Sequence, residues 1–585
     1  MKNKSRLLFL TCGLIWTIYF GCSKDLDSRP LGQLDEAALQ NKSGVEGLLI
    51  GAYSLLDGFG NYYFPEYSQW SSAASNWIYG GVCGTEGHKG SEKDDQLEIQ
   101  ALEKFTMIAN SPYLQGKWAA VYDGIQRCND VIRIMRKVPS LKAEDTIEFR
   151  AEALFLRGHY HFEAKKMWNK VPFVDETITY GAGNYKMGNE EDIWPRIEED
   201  LLYAVANLPL SQNEIGRANH YMAAALLAKA YLFQHKFKEA KILLDEIISS
   251  GNYGLDKYSD NFNPELQNRR EYVFAAQSSV NDGSFGNNSN AGDVLNAPYG
   301  SSSFCCGFFQ PTQWLVNHFK TDPHTGLPDL DHFNDVDVNN DYGIKSSEPF
   351  TPYAGTIDPR LDLTVGRRGI PYLDWGVHPG YDWIREQSSG GPYSSIKSSP
   401  RKSQASTYTD NSGWFPLSMT AINTNLIRYA DILLWAAEAE VESGNADALE
   451  KARGYVNEIR DRAADPSGWV YKYIDDQDPS LGFSNIRAAN YFIKPYTDPW
   501  TDPVFALKAI RYERMLELGM EGHRFFDLVR WGIASQEINE YLIKEKNITS
   551  YLQGVVFIAG KNEYFPIPQS EIDKTDHHLQ QNPYY

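Results

Sequence analysis

The stretch HYMAAALLAKAYLFQHKFKEAKILLDEII, residues 220–248, decides the fold class. Apolar and small residues recur every three or four positions on both sides of a break at 234–236, which is the spacing of two amphipathic helices joined by a tight turn. Alanines stand where the two helices must approach closely. The stretch therefore predicts a helix–turn–helix pair with a first face at 221–232 and a second face at 237–248.

A second unit of the same kind appears later in the chain. Small and apolar residues at 432–437 lead to a Ser-Gly-Asn turn at 443–445, and a further apolar face follows at 448–459. Helical pairs of about 34 residues with alanines at the crossing resemble tetratricopeptide repeats, although no strict period holds along the whole chain. Such pairs bury their faces only against neighbouring pairs, so we expect one curved block.

The predicted fold class is mainly α, a scaffold of tetratricopeptide-like helical pairs that is interrupted by a long loop-rich insert. We place the helices at about 116–250 and at about 426–535. Apolar stripes predict individual helices at 116–137, 148–168 and 192–208 in the first of these regions.

The insert, residues 251–425, differs sharply in composition from the helical regions. It is rich in Gly, Ser, Asn, Pro and aromatic residues and contains one credible strand, 272–277. A loop-rich insert of this length is usually functional or disordered, and its aromatic content argues against disorder. We therefore expect a binding surface in the insert, with the similar stretch 58–100 contributing to it.

The N-terminus carries the pattern of an exported lipoprotein. Three basic residues precede an apolar run at 7–20, which is shorter than the roughly 20 residues of a membrane span and is typical of a secretory signal. Cys22 follows the small residue Gly21, where lipoprotein processing requires a cysteine; an ordinary signal with an incidental cysteine is the alternative. The pattern predicts a signal peptide at 1–21, a lipid anchor at Cys22 and a mature domain at 22–585.

Composition excludes several classes of protein. The formal net charge of −20 argues against nucleic acid as a partner, because phosphates favour basic surfaces. The chain has six cysteines, too few outside the signal and the anchor for a disulfide framework, and no C-x-x-C metal spacing. Cys305 and Cys306 are adjacent, and because a bridge between neighbours is strained we expect two buried thiols there.

A cluster of charged residues near the C-terminus has two interpretations. Three glutamates share one helical face and resemble a paired-carboxylate active site, which needs two carboxyl groups facing a cleft. Arginines are interleaved with them, however, and this alternation is typical of an ion-pair network between packed helices. We favour the structural interpretation for these residues, which are Glu513, Glu517, Glu521, Arg524, Asp527 and Arg530.

The insert also contains a possible calcium loop. Asp335, Asp337, Asn339 and Asp341 offer oxygen ligands at alternating positions. The sixth position lacks the glycine of a calcium loop, and Ser346 stands where the bidentate glutamate would be. A solvated turn is the favoured interpretation and a structural calcium site is the alternative. No H-E-x-x-H, G-x-S-x-G or P-loop pattern occurs, so we expect no enzyme and no cofactor.

Seven short motifs are spread over nearly all of the mature chain: RAEALFLR at 150–157, VPF at 171–173, DPR at 358–360, IRYADILLWAAEA at 427–439, ERMLELGMEGHRFFDLVRWG at 513–532, PIP at 566–568 and QNPYY at 581–585. In sequence and in order they resemble the motifs of the SusD/RagB family of outer-membrane nutrient-binding lipoproteins.

The resemblance implies about four tetratricopeptide-like helical pairs and a ligand face built from loops. It also implies an outer-membrane location exposed on the cell surface, and a SusC-like TonB-dependent transporter as partner. One segment departs from the family pattern, because 84–90 reads GTEGHKG where many relatives have an acidic pair. Polar ligand contacts are therefore not carried over to that loop.

Loop aromatics are the candidates for ligand contact. The apolar C–H face of a pyranose lies flat on an aromatic ring, while its hydroxyls bind amides and carboxylates. Trp118, Trp168, Trp435 and Trp531 lie on predicted helix faces and are assigned to the core. The candidates for glycan contact are Trp70, Trp77, Tyr79, Tyr299, Trp375, Tyr381, Trp383 and Trp414.

Three functional hypotheses follow from the sequence. The first is a non-catalytic receptor that binds an oligosaccharide or polysaccharide and delivers it to the transporter. The second, suggested by the RagB branch of the resemblance, is a lid that captures peptides for the same kind of transporter. The third is a scaffold whose helical pairs only dock other surface proteins.

Overall fold

A computed structural model describes residues 36–60, 68–300, 305–413, 417–444 and 447–585. The predicted signal peptide, Cys22 and Trp414 lie outside the described residues. No helix in the described ranges is both long enough and apolar enough to cross a membrane.

Helices dominate the structure, as predicted. The first group consists of α1 (Glu36–Leu39), α2 (Lys42–Tyr53), α3 (Leu97–Glu103), α4 (Pro112–Met135), α5 (Ala143–Trp168), α6 (Trp194–Asn207), α7 (His220–Phe233) and α8 (Phe237–Ser249). Short helices α9 (Gln313–His318), α10 (Leu361–Thr364) and α11 (Gln387–Gly390) lie in the insert. The second group consists of α12 (Tyr429–Ser443), α13 (Ala448–Ala464), α14 (Pro503–Leu518), α15 (Arg524–Arg530), α16 (Ala534–Glu545) and α17 (Gln569–Lys574).

The long helices stack in sequence order as neighbouring pairs. Each helix packs on the next in the order α2, α4, α5, α6, α7 and α8, and the stack then continues with α12, α13 and α14. Helix α8 thus packs directly on α12, although the whole insert lies between them in the chain. The two helical pairs that the sequence predicts, α7–α8 and α12–α13, are both present, and the mainly α, tetratricopeptide-like fold is confirmed.

Small residues allow this close stacking. On α7, Ala223, Ala224, Ala225 and Ala228 are completely buried. Asn219 caps the start of α7: its side chain accepts a hydrogen bond from the Met222 N–H and so satisfies a donor at the end of the helix. The four tryptophans assigned to the core, Trp118, Trp168, Trp435 and Trp531, are all buried.

Strands are short and pair in twos. They are β1 (Gly87–Gly90), β2 (Tyr272–Ala276), β3 (Phe308–Pro311), β4 (Val365–Gly366), β5 (Ser394–Ser395), β6 (Thr409–Asp410), β7 (Met419–Thr420), β8 (Thr424–Arg428), β9 (Tyr471–Tyr473) and β10 (Phe483–Arg487). The antiparallel pairs are β1–β3, β2–β8, β4–β5, β6–β7 and β9–β10.

Two of these pairs explain how the insert is attached. Strand β2, predicted at 272–277, lies in the first part of the insert and pairs with β8, which lies at its end just before α12. Strand β1 brings the early stretch 58–100 against the insert through β3. Between the helices of 426–535, the hairpin β9–β10 occupies 471–487.

The charged cluster at 513–530 forms a buried ion-pair network, which confirms the structural interpretation of these residues. Glu513 binds Arg360 at 2.6 Å and Arg460 at 2.9 Å, and Glu517 binds Arg360 at 2.9 Å and also Arg428. The same interior holds Asp527 with Arg514 and Arg530, Arg530 with Glu438, and Arg524 with Glu537.

The network fixes the charge state of its carboxylates. Burial by itself would raise the pKa of Glu521, but Arg428 and Lys397 outweigh burial and lower that pKa to about 2. Arg360, from the Asp-Pro-Arg loop of the insert, reaches the two glutamates on α14. The network therefore joins the insert to the helical stack.

One expectation about cysteines is wrong. Cys305 and Cys306 are joined by a disulfide, whereas we expected two free thiols. The adjacent pair lies immediately before β3, where the Cys306 N–H donates to the Leu295 carbonyl. Cys83 and Cys128 are free and buried.

Candidate functional site

Three of the candidate aromatics meet at one exposed surface of the insert. A single helical turn, Tyr381–Trp383, runs beside Tyr299, whose backbone N–H donates to the Trp383 carbonyl at 3.1 Å. Tyr299 is 37% exposed and Tyr381 is 43% exposed, while Trp383 is partly buried. We call these residues, together with Arg385, the 299–385 surface.

A buried support fixes the ring of Trp383. The rings of Tyr372 and His378 meet it edge-on, at centroid distances of 5.5 Å and 5.1 Å. The Tyr372 hydroxyl donates to the Ser395 carbonyl, and its ring is fully buried. A ring held by such contacts loses little conformational freedom when a ligand stacks on it.

His378 supports the surface in its neutral form. Burial lowers the pKa of His378 to about 3, because an imidazolium there would lose its hydration. The backbone N–H of Gly380 donates to Nδ1 at 3.0 Å, so the proton lies on Nε2, which is 3.0 Å from the Ser394 hydroxyl. This pair of hydrogen bonds orients the turn that carries Tyr381.

Gly380 is needed at this turn for two reasons. Its φ is +81°, a value that favours glycine. A Cβ atom at this position would lie 2.1 Å from Oδ2 of Asp341. Burial raises the pKa of Asp341 to about 6, and the opposing charge of Arg368 is 3.9 Å away.

The early stretch 58–100 meets the insert at this surface. The Arg385 guanidinium lies over the Tyr299 ring at 5.2 Å. It also binds Asp95 at 2.8 Å and Ser91 at 2.9 Å, and pairs with Glu92. Ring, cation and carboxylates therefore lie side by side, so a sugar stacked on the ring would find charged hydrogen-bonding partners next to it.

The other candidates are placed differently. Trp70, Trp77 and Tyr79 are buried in the core; Trp77 Nε1 donates to the Gly292 carbonyl, and the Tyr79 hydroxyl donates to the Ser71 carbonyl. Their rings do not form part of an exposed surface in this conformation.

Trp375 lies between these cases. It is partly buried, packs against the cluster around Tyr372, and its Nε1 donates to the Pro400 carbonyl at 2.8 Å. The structure thus brings Tyr299, Tyr381 and Trp383 together, and Trp375 packs against the same apolar cluster as Trp383. Trp414 lies outside the described residues.

The oxygen-rich loop does not converge on one point. Asp337 binds Lys544 at 2.6 Å, the Asn339 amide donates to the Thr351 carbonyl, Asp335 pairs with His332, and Asp341 is buried near Arg368. Val338 in the middle is completely buried and turns the chain inward. In the described ranges no three His, Cys, Asp or Glu side chains are grouped to hold a metal ion.

Sequence reasoning missed the partners of the rings. Arg385 and His378 carry no periodic pattern. Arg385 contacts Tyr299, which lies more than 75 residues earlier in the chain, and His378 supports the ring of Trp383. The signal that was available is local: Gly380-Tyr-Asp-Trp383 places a glycine before two aromatics, which is typical of a turn that presents side chains.

Comparison with known proteins decides the family. The sequence model of the SusD family matches residues 270–585, more than half of the chain. The chain belongs to the SusD family. A second family model, described as starch-binding and associating with the outer membrane, matches residues 73–232.

Known SusD-family proteins match along most of the chain. A SusD-like protein of Formosa agariphila is 23% identical over 530 residues, which cover 88% of this chain and 88% of the relative. A SusD superfamily protein from Bacteroides vulgatus has a TM-score of 0.66 at 20% identity, covering 94% of this chain and all of the other. Surface glycan-binding protein A from Bacteroides thetaiotaomicron, in complex with laminarihexaose, has a TM-score of 0.62 at 20% identity over 93% of this chain and all of the other. These likenesses confirm the SusD fold.

Proposed function

We propose that this protein is a non-catalytic, cell-surface glycan-binding lipoprotein that delivers its ligand to a SusC-like TonB-dependent transporter. The observation that carries the proposal is the 299–385 surface, where partly exposed rings lie beside charged groups on a rigid support. A structural neighbour that binds laminarihexaose supports glycan as the class of ligand.

The energetics require several contacts at once. Covering about 60 Å² of ring at ~25 cal/mol per Å² contributes about 1.5 kcal/mol. A micromolar site needs about 8 kcal/mol after the costs of association are met. One ring cannot supply this, whereas Tyr299, Tyr381 and Trp383 with hydrogen bonds to Glu92, Asp95 or Asp382 can.

The charged network supports a binding role rather than catalysis. A glycosidase needs two carboxyl groups that face a cleft, one of them holding a proton. Glu513 and Glu517 are instead completely buried and bound to arginines. The charged cluster at 513–530, which is the segment that most resembles an active site, therefore stabilises the helical scaffold.

The anchor and the transporter complete the proposal. A diacylglycerol on Cys22 would hold the domain at the outer membrane through the polar tether that follows it. Capture close to the membrane raises the concentration of ligand available to a transporter there. Membership of the SusD family supports this placement.

Titration calorimetry tests the ligand class directly. Soluble glycans, including laminarin, and mixed oligopeptides are titrated into the mature chain and into Tyr381→Ala, Trp383→Ala and Tyr180→Ala. Tyr180 is the matched control, because it is 83% exposed and contacts Tyr185 instead of the surface. We expect glycan binding that weakens at least tenfold in Trp383→Ala and Tyr381→Ala and is unchanged in Tyr180→Ala.

Two results would contradict the proposal. Binding of peptides without binding of any glycan would select the peptide-capturing function. If the mature chain and all three variants bound glycan with equal affinity, the 299–385 surface would not be the binding site, even if glycan bound elsewhere on the protein.

A further inference from the structure

A second cleft lies beside the hairpin β9–β10. It has a volume of about 200 Å³ and adjoins a cavity of about 380 Å³, with which it shares Leu363, Gly468 and Trp469. Ligand sites typically measure roughly 300–1,000 Å³. We call the first of these cavities the hairpin cleft; none of Tyr299, Tyr381, Trp383 or Arg385 lines it.

Aromatic side chains form one wall of the hairpin cleft. Trp469, Tyr471 and Phe483 line it, and Phe483 is 44% exposed. Phe483 is stacked on Tyr473 at a centroid distance of 4.8 Å. Trp469 is held by its Nε1, which donates to the Ala463 carbonyl at 2.9 Å. The wall therefore offers fixed ring surfaces of the kind on which a sugar stacks.

The charges of the cleft do not cancel. Lys397 is neutralised by Glu521 at 2.7 Å, and Asp362 is neutralised by Arg367 at 2.6 Å. The third charged residue of the lining is Arg401. Among the residues that the structure describes, no carboxylate lies within 4 Å of its guanidinium.

The nearby carboxylates are already engaged. Asp260, which acts on Arg401 through its charge, pairs with Arg269 at 3.5 Å. Asp374 accepts hydrogen bonds from the backbone N–H groups of Lys402 and Ser403. Among the described residues Arg401 thus makes no direct ion pair, although the protein has a net charge of −20.

The backbone around Arg401 is fixed by two amides. The Gln404 side chain accepts a hydrogen bond from the Arg401 N–H at 3.0 Å and donates to Asn263 Oδ1 at 2.6 Å. Gln404 and Asn263 both line the cleft. A planar guanidinium pairs with carboxylate or sulfate oxygens through two parallel hydrogen bonds.

We propose that the hairpin cleft is a second glycan-binding site and that it selects sugars with an anionic substituent, a carboxylate or a sulfate, through Arg401. The ring stacks on the exposed Phe483, and the anionic group binds Arg401. This inference rests on the proposed function and adds a substrate class to it.

Calorimetry with three oligosaccharides of equal length tests the inference: an oligouronide, a sulfated galactan fragment and a neutral β-glucan. The proteins are the mature chain, Trp383→Ala, Arg401→Gln and Phe483→Ala. Arg136→Gln serves as the charge-matched control, since Arg136 is an exposed arginine at the end of α4 that pairs with Glu176. The two anionic probes distinguish carboxylate from sulfate recognition.

The expected result is that at least one anionic oligosaccharide binds and keeps its affinity in Trp383→Ala. Its affinity falls at least tenfold in Arg401→Gln and in Phe483→Ala, stays unchanged in Arg136→Gln, and decreases as salt is raised. Equal affinity of Arg401→Gln and the parent chain for the anionic probes overturns the inference. Binding of the neutral probe alone overturns it and leaves the proposed function intact, whereas binding of no glycan at all overturns both.

Discussion

Glu517 is completely buried on α14 and contacts the guanidinium groups of Arg360, Arg428 and Arg462. Changing it to the isosteric Gln removes the charge that balances these arginines and leaves cations uncompensated in the interior. Removing one partner of a buried ion pair typically costs about 3–5 kcal/mol. We expect Glu517→Gln to lower the melting temperature markedly, as measured by circular dichroism.

An exposed glutamate provides the matched control for this substitution. Glu36 pairs with Lys137 at the surface, with both side chains about half exposed. Exposed pairs contribute roughly 0–1 kcal/mol, so Glu36→Gln should leave the melting temperature almost unchanged. Similar effects of the two substitutions would show that the buried network does not stabilise the fold.

His88 gives the protein a stabilising charge that depends on pH. It lies between Glu103 at 2.9 Å and Glu545 at 3.1 Å. Burial opposes the charged form, but the hydrogen bonds to these two carboxylates outweigh burial and raise the pKa of His88 to about 9. Because the folded pKa exceeds the ordinary value of about 6.5, the stabilisation is full below pH 6.5 and is lost as the pH rises through about 9.

We therefore expect His88→Gln to be less stable than the parent chain at pH 6, and the difference between the two melting temperatures to shrink by pH 10. The two melting temperatures are measured in the same buffer series, so that the titration of groups common to both proteins cancels in their difference. A difference that stays constant with pH would contradict the assignment of a charged histidine.

Single residues also show where sequence reasoning stops. Trp77 and Trp383 both lie in Gly-rich or Pro-flanked segments, and both were candidates for ligand contact. Trp77 is buried because Phe308 and Phe309 pack against it at 6.3 Å and 5.8 Å, from more than 200 positions away. Such long-range contacts leave no local pattern, so burial of a loop aromatic is not readable from its neighbours in the sequence.

At the scale of elements, periodic segments were predictable and aperiodic segments were not. Helix α5 was expected at 148–168 and spans Ala143–Trp168, because its apolar stripe continues over several turns. The hairpin β9–β10 was missed, although Trp469, Tyr471 and Tyr473 alternate as a strand requires. Its strands are only three and five residues long, and so short a pattern does not stand out against the surrounding helices.

The contact between the early stretch and the loop before α15 depends on a glycine. A Cβ atom at Gly80 would lie 1.7 Å from the backbone oxygen of Gly522, and backbone cannot move aside as a flexible side chain does. Overpacking of this kind costs about 1–3 kcal/mol. We expect Gly80→Ala to lower the melting temperature.

Gly51 is the matched control for Gly80. It lies inside α2, where an added Cβ atom would meet nothing within 4 Å. Alanine favours a helix over glycine by roughly 0.5–1 kcal/mol, so Gly51→Ala should leave the melting temperature unchanged or raise it. A rise for both variants would contradict the close approach of the two segments.

At the scale of the whole molecule, the insert is held at both ends and in the middle. Strands β2 and β8 join its ends, α8 packs on α12 beneath it, and Arg360 ties its centre to α14. The helical stack thus acts as a rigid base that determines where the rings of the 299–385 surface lie. The base can be read from the periodicity of the sequence, whereas the placement of the insert's rings depends on long-range contacts and cannot.

A variant that lacks the proposed anchor tests the location of the protein independently of its glycan binding. Cys22→Ser removes the thiol that would carry the diacylglycerol, while Cys22 lies outside the described domain that holds both candidate sites. We expect the variant to leave the membrane fraction of the cells that produce it, as followed by fractionation and immunoblotting. Its affinity for glycan in solution should equal that of the parent chain, and Cys128→Ser, which changes a free buried thiol, should remain in the membrane fraction. Membrane association of Cys22→Ser equal to that of the parent would contradict lipid anchoring at this residue.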